Sequence, residues 1–504
     1  MAFIKPTKIF SGDKSTTSNI YLGKPEAEGE IVPGQSLAEY YQDYLHIDNA
    51  FTRGYFIITG RKGVGKSAYV KHLMDNAGEE NELYCDVITN DKIDLEKVLQ
   101  AVPESVGNKD EIIYEWIILT RLVKLLLQNH NAKCAEGYSS LEKFESKNSG
   151  IANVEKWMTM EEQQSNGWTV NFSELWKGFP FAFNKQFQHK NMRAPFYSLI
   201  HPLREIVKKM LTYEVNKDIN FIVFFDDLDV KFKLRNETHK ERLMSLLRMT
   251  KQYNTQVLPT QDARIMVMLR DDIALQLEGV ATDKNKTFSS YEYNLNWFDS
   301  DAKLNEEETS LRKFINRRIE VSFAKLGIEY DRDDPWNTLI DNRPCPEYNY
   351  KSAFKFILDC TFYRPRDLVA LFKDIDNRNY KIPMQPNDIK TLLRSYVEWN
   401  ASEIKDELSN LYTSTEIESL FHIFEIVATP NCQMRYNDII TLFEEEGLSE
   451  SDMEKMLEYN FLIPKDGNEF QYFSYRERPR VGKKENYVYR LPKCLYIYFH
   501  PNFL

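Results

Sequence analysis

Cysteine is scarce in this chain: six among 504 residues, at Cys85, Cys134, Cys345, Cys360, Cys432 and Cys494, with no C-x-x-C pair and no histidines at metal-ligand spacing. Neither a disulfide scaffold nor a zinc module fits that pattern, and reduced thiols are expected. Long apolar runs are missing too. The most apolar helical stretch, residues 112–127, is broken by Glu115, Arg121 and Lys124, which excludes a bilayer-spanning helix. The first residues, Met1-Ala2-Phe3-Ile4-Lys5-Pro6, lack the apolar core of a secretion signal, so a cytoplasmic location and no membrane partner are expected. Positive charge is outnumbered, 65 Lys and Arg against 76 Asp and Glu. The net charge of −11 repels a nucleic-acid backbone except at a local basic surface. There is no repeat of solenoid period, no N/T-K-x-D stretch for guanine, no L-S-G-G-Q-like signature and no nuclease or protease acid cluster.

What is there reads as a multi-domain α/β protein. At about 150 residues per domain the length suggests about three domains, and 42% hydrophobic with 28% charged residues is globular composition. Residues 1–50, with their Gly, Pro and Ser-Thr clusters, are expected to be an entry segment docking on a nucleotide domain. Between about 51 and 300, apolar runs at 55–59, 83–87, 219–225 and 265–269 alternate with helical patterns at 112–129 and 240–251, which predicts a parallel sheet covered by helices. An aromatic-rich stretch at about 135–200, with Trp157, Trp168, Phe172, Trp176, Phe179, Phe181 and Phe183, interrupts the alternation as an insertion. Its rings are expected to pack in a small core of their own. Residues 301–400 read as a helical lid. Residues 401–504 read as three helices and a hairpin, the order of a winged helix.

The chemistry concentrates in Gly60-Arg61-Lys62-Gly63-Val64-Gly65-Lys66-Ser67, which fits G-x-x-x-x-G-K-[ST] at every fixed position between a strand-like run and a helix-like one. Glycines let the backbone curl so that amides face phosphate oxygens, and the N-terminus of the following helix, read from Ala68, Val70, Leu73 and Met74 at helical spacing, adds partial positive charge. Lys66 then reaches the β- and γ-phosphates and the Ser67 hydroxyl ligates Mg²⁺, so ATP and Mg²⁺ are the expected ligands. The apolar run 221–225 ends in Asp226 and Asp227. Asp226 is expected to hold the metal and Asp227 to take a proton from the attacking water, with Asp229 either behind these two or capping the following turn. Arg270, in Leu269-Arg270-Asp271-Asp272, is a candidate sensor whose alternative is pairing with the two acids that start a helix. In Arg364-Pro365-Arg366-Asp367-Leu368, proline at a helix start carries arginines on either side, and Arg366 is expected to reach phosphate from the lid.

Together these four blocks resemble a bacterial family of P-loop ATPases related to the AAA+ and STAND groups, common in mobile and antiphage-defence gene clusters. The resemblance implies an ATP-hydrolysing switch or motor that controls assembly or a partner effector, a homo-oligomer, a first sensor near Arg270 and a second at Arg366. Arg317 and Arg318 are arginine-finger candidates. The competing reading is an ATP-tuned nucleic-acid regulator acting through the winged helix. Its groove-facing helix carries Glu450, Asp452, Glu454 and Glu458 against Lys455, which favours a protein partner, while Arg476, Arg478, Arg480, Lys483 and Lys484 make the wing side basic.

Overall fold

A computed structural model describes residues 15–89, 99, 102–152, 168–183, 192–228, 236–258, 262–277, 284–298, 305–430, 434–466, 469–470 and 488–504. Asp229, Trp157, Cys432, Gly467, Asn468 and the five basic wing residues lie outside them. The chain forms two compact bodies, one within residues 46–61 and 66–295, the other within 1–45, 62–65 and 296–504.

The first body is built on β1 (Ile57–Gly60), α1 (Lys66–Asp75), β2 (Leu83–Thr89), α2 (Lys109–Gln128), α3 (Ile200–Leu211), β3 (Asn220–Asp226), α4 (Glu237–Gln252), β4 (Ala263–Arg270), α5 (Asp271–Gln276) and β5 (Glu292–Asn294). The five strands form one sheet in the order β2-β3-β4-β1-β5, and every pairing is parallel. The expected parallel α/β layout is therefore observed. All of β4 and all but the first residue of β3 are buried, as near-continuous apolar runs require when both faces are covered. The fifth strand was not expected. Glu292-Tyr293-Asn294 has no apolar period, and it joins through backbone pairing to β1 supported by the Thr59 hydroxyl, which donates to Glu292 and accepts from Asn294 Nδ2 at 3.0 Å.

Helix α2 is buried along most of its length, including Glu115. A buried carboxylate needs partners: Arg204 of α3 donates from Nε at 2.7 Å and Tyr253 from its hydroxyl at 2.8 Å. Burial first, and the carboxylate second, push the Tyr253 hydroxyl well above its ordinary pKa. In the insertion Trp168, Phe172, Phe179 and Phe183 are buried, with Phe172 stacked on Phe183. Trp176 is half-buried and tilted against Phe183, Phe181 is exposed, and Phe196 packs on Trp116 of α2.

The second body contains α6 (Ser310–Leu326), α7 (Ala353–Asp359), α8 (Pro365–Leu371), α9 (Pro386–Leu408), α10 (Ser414–Val427), β6 (Met434–Arg435), α11 (Tyr436–Glu445), α12 (Glu450–Glu458), β7 (Ile463–Asp466), β8 (Glu469–Phe470), β9 (Val488–Arg490) and α13 (Lys493–Phe499). Arg312 of α6 is fully buried, paired with Asp334 at 2.7 Å and held between the rings of Trp336 and Phe354. Of the entry segment, expected to dock on the nucleotide domain, residues 15–45 belong to this helical body. Arg318 Nη2 donates to Glu30 Oε2 at 3.1 Å, and Thr17 Oγ1 donates to the Ile375 carbonyl at 2.9 Å. After α9 come three helices, α10 to α12, an antiparallel sheet in the order β6-β9-β7-β8, and a fourth helix, α13, which follows the last strand. No described helix is long and apolar enough to cross a membrane, and the five described cysteines are free thiols.

Candidate functional site

Strand β1 carries the chain into the glycine loop because Ile57 and Ile58 are buried in the sheet, while Gly60 ends the strand level with Arg270 of β4. Lys66 opens α1 and is buried. Its ammonium donates to the carbonyls of Gly60 at 2.7 Å and Arg61 at 3.2 Å, so the side chain turns back along the loop. Ser67 and Ala68 follow in the first turn, both half-buried, and Arg61 is buried.

Asp226 is the last residue of β3, 4% exposed. The neighbouring Asp227 is not in the strand: its φ of 49° is left-handed, so the chain turns sharply between the two acids. That conformation is uncommon for residues other than Gly, though Asp and Asn tolerate it better than most, and such backbone outliers cluster at functional sites. Arg270 makes a buried bidentate pair with Asp272, Nε to Oδ1 at 3.0 Å and Nη2 to Oδ2 at 2.7 Å. The pairing alternative for this arginine is what the side chains adopt, while its backbone stays beside Gly60.

The four residues Lys62–Gly65 belong to the helical body. Gly63 has a φ of +85° and Gly65 of +105°, so glycine is required at both turns. Three successive carbonyls of this segment accept hydrogen bonds. Lys62 O accepts from Arg364 Nη1 at 3.1 Å, Gly63 O from the Arg366 amide at 3.4 Å, and Val64 O from Trp297 Nε1 at 2.8 Å. Arg364 is buried and also pairs with Asp367 at 2.7 Å. Burial alone would lower its pKa, but the Asp367 carboxylate raises it above the ordinary arginine value.

Arg366 lies against Gly63, ion-pairs with Glu403 at 3.0 Å and reaches the exposed Glu26 at 3.4 Å. Glu403 also takes Lys62 at 3.3 Å. The arginine that takes the neighbouring Asp367 is Arg364. Of the finger candidates, Arg318 is buried between Tyr40 and Phe314 and paired with Glu30, a structural role. Arg317 is half-exposed, paired with Glu320 and bonded to the Glu39 carbonyl.

Sequence reasoning missed Arg364 and Trp297. The first was legible as one of two arginines around Pro365, but nothing in the string told which would turn toward the loop. Trp297 follows the polar strand β5 and belongs to no motif.

No curated protein matches the chain. One known family model does match a part of it: residues 309–405, from the residue before α6 into the last turn of α9, are similar to the FunZ-associated C-terminal helical domain.

Proposed function

We propose that this chain binds ATP through residues 60–68 and hydrolyses it, and that its nucleotide state controls self-assembly or a protein effector. The observation that carries the reading is the order of buried strand, glycine loop and helix at 57–75, with the loop pattern filled at every fixed position. A backbone fit supports it: at Gly63 the chain takes a conformation that needs glycine, as a loop that wraps phosphate requires. We read the C-terminal helices and antiparallel sheet as a winged helix and the whole as a P-loop ATPase of the AAA+/STAND kind.

Lys66 supplies a point charge to the β- and γ-phosphates, releasing its carbonyl partners as it does so. Ser67 and Asp226 are the residues that would hold Mg²⁺, which neutralises phosphate oxygens when bound. Asp227 accepts the proton of the attacking water, from a backbone turn that separates it from Asp226. Arg270 answers to the nucleotide by exchanging part of its Asp272 pair for phosphate. Arg366 does so by exchanging Glu403. Both are charge-assisted contacts of similar kind before and after, which suits a switch.

The acidic helix α12 favours a protein partner over DNA. Glu450 and Glu454 are exposed, and Lys455 is engaged by Asp452 at 3.2 Å.

The test is Asp227→Asn in the full chain. ATP and Mg²⁺ binding should persist while turnover falls by at least the roughly 10²-fold to 10⁴-fold contributed by a general base. Unchanged turnover overturns the catalytic assignment, and equal loss of Mg²⁺-dependent binding in Asp226→Asn and Asp227→Asn overturns the division of roles.

A further inference from the structure

A peptide plane points its C=O and the next residue's N–H in opposite directions. Bonding a carbonyl on one side of a loop therefore aims the following amide at the other side. In the glycine loop this happens three times in a row, at Lys62, Gly63 and Val64. Two of the three donors are side chains. Arg364 Nη1 holds the peptide between Lys62 and Gly63, and Trp297 Nε1 holds the peptide between Val64 and Gly65.

Both donors are fixed in turn. The Arg364 guanidinium is locked by three contacts with Asp367, at 3.2, 3.1 and 2.7 Å, and the fully buried Asp367 also accepts from the Phe362 amide at 3.0 Å. The Trp297 ring is buried and packed edge-on to Phe314, with Tyr44 tilted beside it. Without such donors, peptides flanking Gly63 and Gly65 would be free to flip, because glycine tolerates both signs of φ.

We propose that Trp297 and Arg364 are positioning residues for the phosphate loop, clamping the Val64 and Lys62 carbonyls so that the Gly65 and Gly63 amides face a bound phosphate. This rests on the nucleotide reading above. The clamps set the amides before the ligand arrives, so binding does not have to order them. Because those amides serve substrate and transition state alike, losing a clamp raises KM and leaves kcat nearly unchanged.

The experiment uses the full chain, MgADP as the titrated ligand, ATP turnover, and ¹⁵N-glycine labelling to follow individual amides. Trp297→Phe keeps an aromatic ring but removes the donor together with the pyrrole half of the indole; Arg364→Lys keeps the charge beside Asp367 but loses the planar fork that reaches both partners. Each should weaken MgADP by roughly threefold to tenfold, the worth of one hydrogen bond, and raise KM for ATP by a similar factor while kcat stays within about twofold of the parent. The residue-resolved signature is specific. Trp297→Phe should abolish the MgADP-induced shift of the Gly65 amide and spare that of Gly63, and Arg364→Lys should do the reverse.

If the parent binds MgADP and Trp297→Phe binds it equally with both amide shifts intact, the clamp is wrong and the nucleotide reading stands. Uniform loss of both shifts in Trp297→Phe also overturns it, in favour of a general packing role. A parent that binds no nucleotide overturns the reading beneath it. Should Arg364→Lys fail to fold, Trp297→Phe decides alone.

Discussion

Arg366 lies so close to Gly63 that a Cβ added at the glycine would sit 2.8 Å from both the Cβ and the Cδ of the arginine. The glycine also holds a φ of +85°. Two independent demands, one on backbone conformation and one on space, thus fall on a single position in the middle of the loop. Gly63→Ala should destabilise the unliganded protein by roughly 1–3 kcal/mol, the cost of a non-glycine residue in a sparsely populated conformation. Denaturant unfolding of parent and variant measures it; coincident midpoints would mean that the loop relaxes and neither demand is real.

Arg366→Ala leaves Glu403 with Lys62 as its remaining partner of the two. Pairs of this kind, part exposed, are worth at most about 1 kcal/mol, so the unliganded melting temperature should move little. What should fall is the extra stabilisation conferred by ATP, since a nucleotide-responsive arginine is lost. Thermal melts with and without MgATP decide the case. A large drop without nucleotide, with normal turnover, makes Arg366 a structural ion-pair residue.

Arg312→Met removes the guanidinium paired with the buried Asp334, which keeps an Asn316 hydrogen bond at 2.9 Å. Breaking a buried pair from one side costs about 3–5 kcal/mol. Guanidinium denaturation should show a loss of that size; a loss below about 1 kcal/mol would show that the Trp336 and Phe354 rings, and not the charge, make this core.

Asp452 supplies a pH signature. Burial pushes its carboxyl up, but hydrogen bonds from Ser449, the Lys455 ammonium and the Tyr412 hydroxyl outweigh this and lower it from 3.8 to about 2. A depressed carboxylate stabilises the fold fully above its unfolded value and loses that contribution as pH falls through the folded value. The stability difference between parent and Asp452→Asn should therefore be constant above about pH 5 and shrink between pH 4 and 2. A difference that persists undiminished at pH 2 would contradict the ionised pairing.

Much of the sheet was legible because burial on both faces writes itself as uninterrupted apolar runs. Phe221-Ile222-Val223-Phe224-Phe225 and its neighbour in β4 could hardly be anything else. Strand β5 was not legible, since its pairing is made by backbone groups and by Thr59, neither of which leaves a pattern at 292–294. The glycine loop announced itself through spacing, and the helix read from Ala68 onward is α1, which begins two residues earlier at Lys66. The turn at Asp227 did not, because Asp is compatible with strand ends and with left-handed turns alike. Arg364 and Trp297 act on residues more than 200 positions away in the chain. Such long-range hydrogen bonds have no local sequence trace.

Whether residues 60–68 bind ATP is decided by calorimetric titration of MgATP into parent and Lys66→Ala. Measurable binding to the parent and its loss in the variant are expected, because removing the ammonium leaves the phosphate charge uncompensated, with circular dichroism showing both chains folded. Equal affinity in the two proteins, or no binding to the folded parent, would contradict binding at these residues.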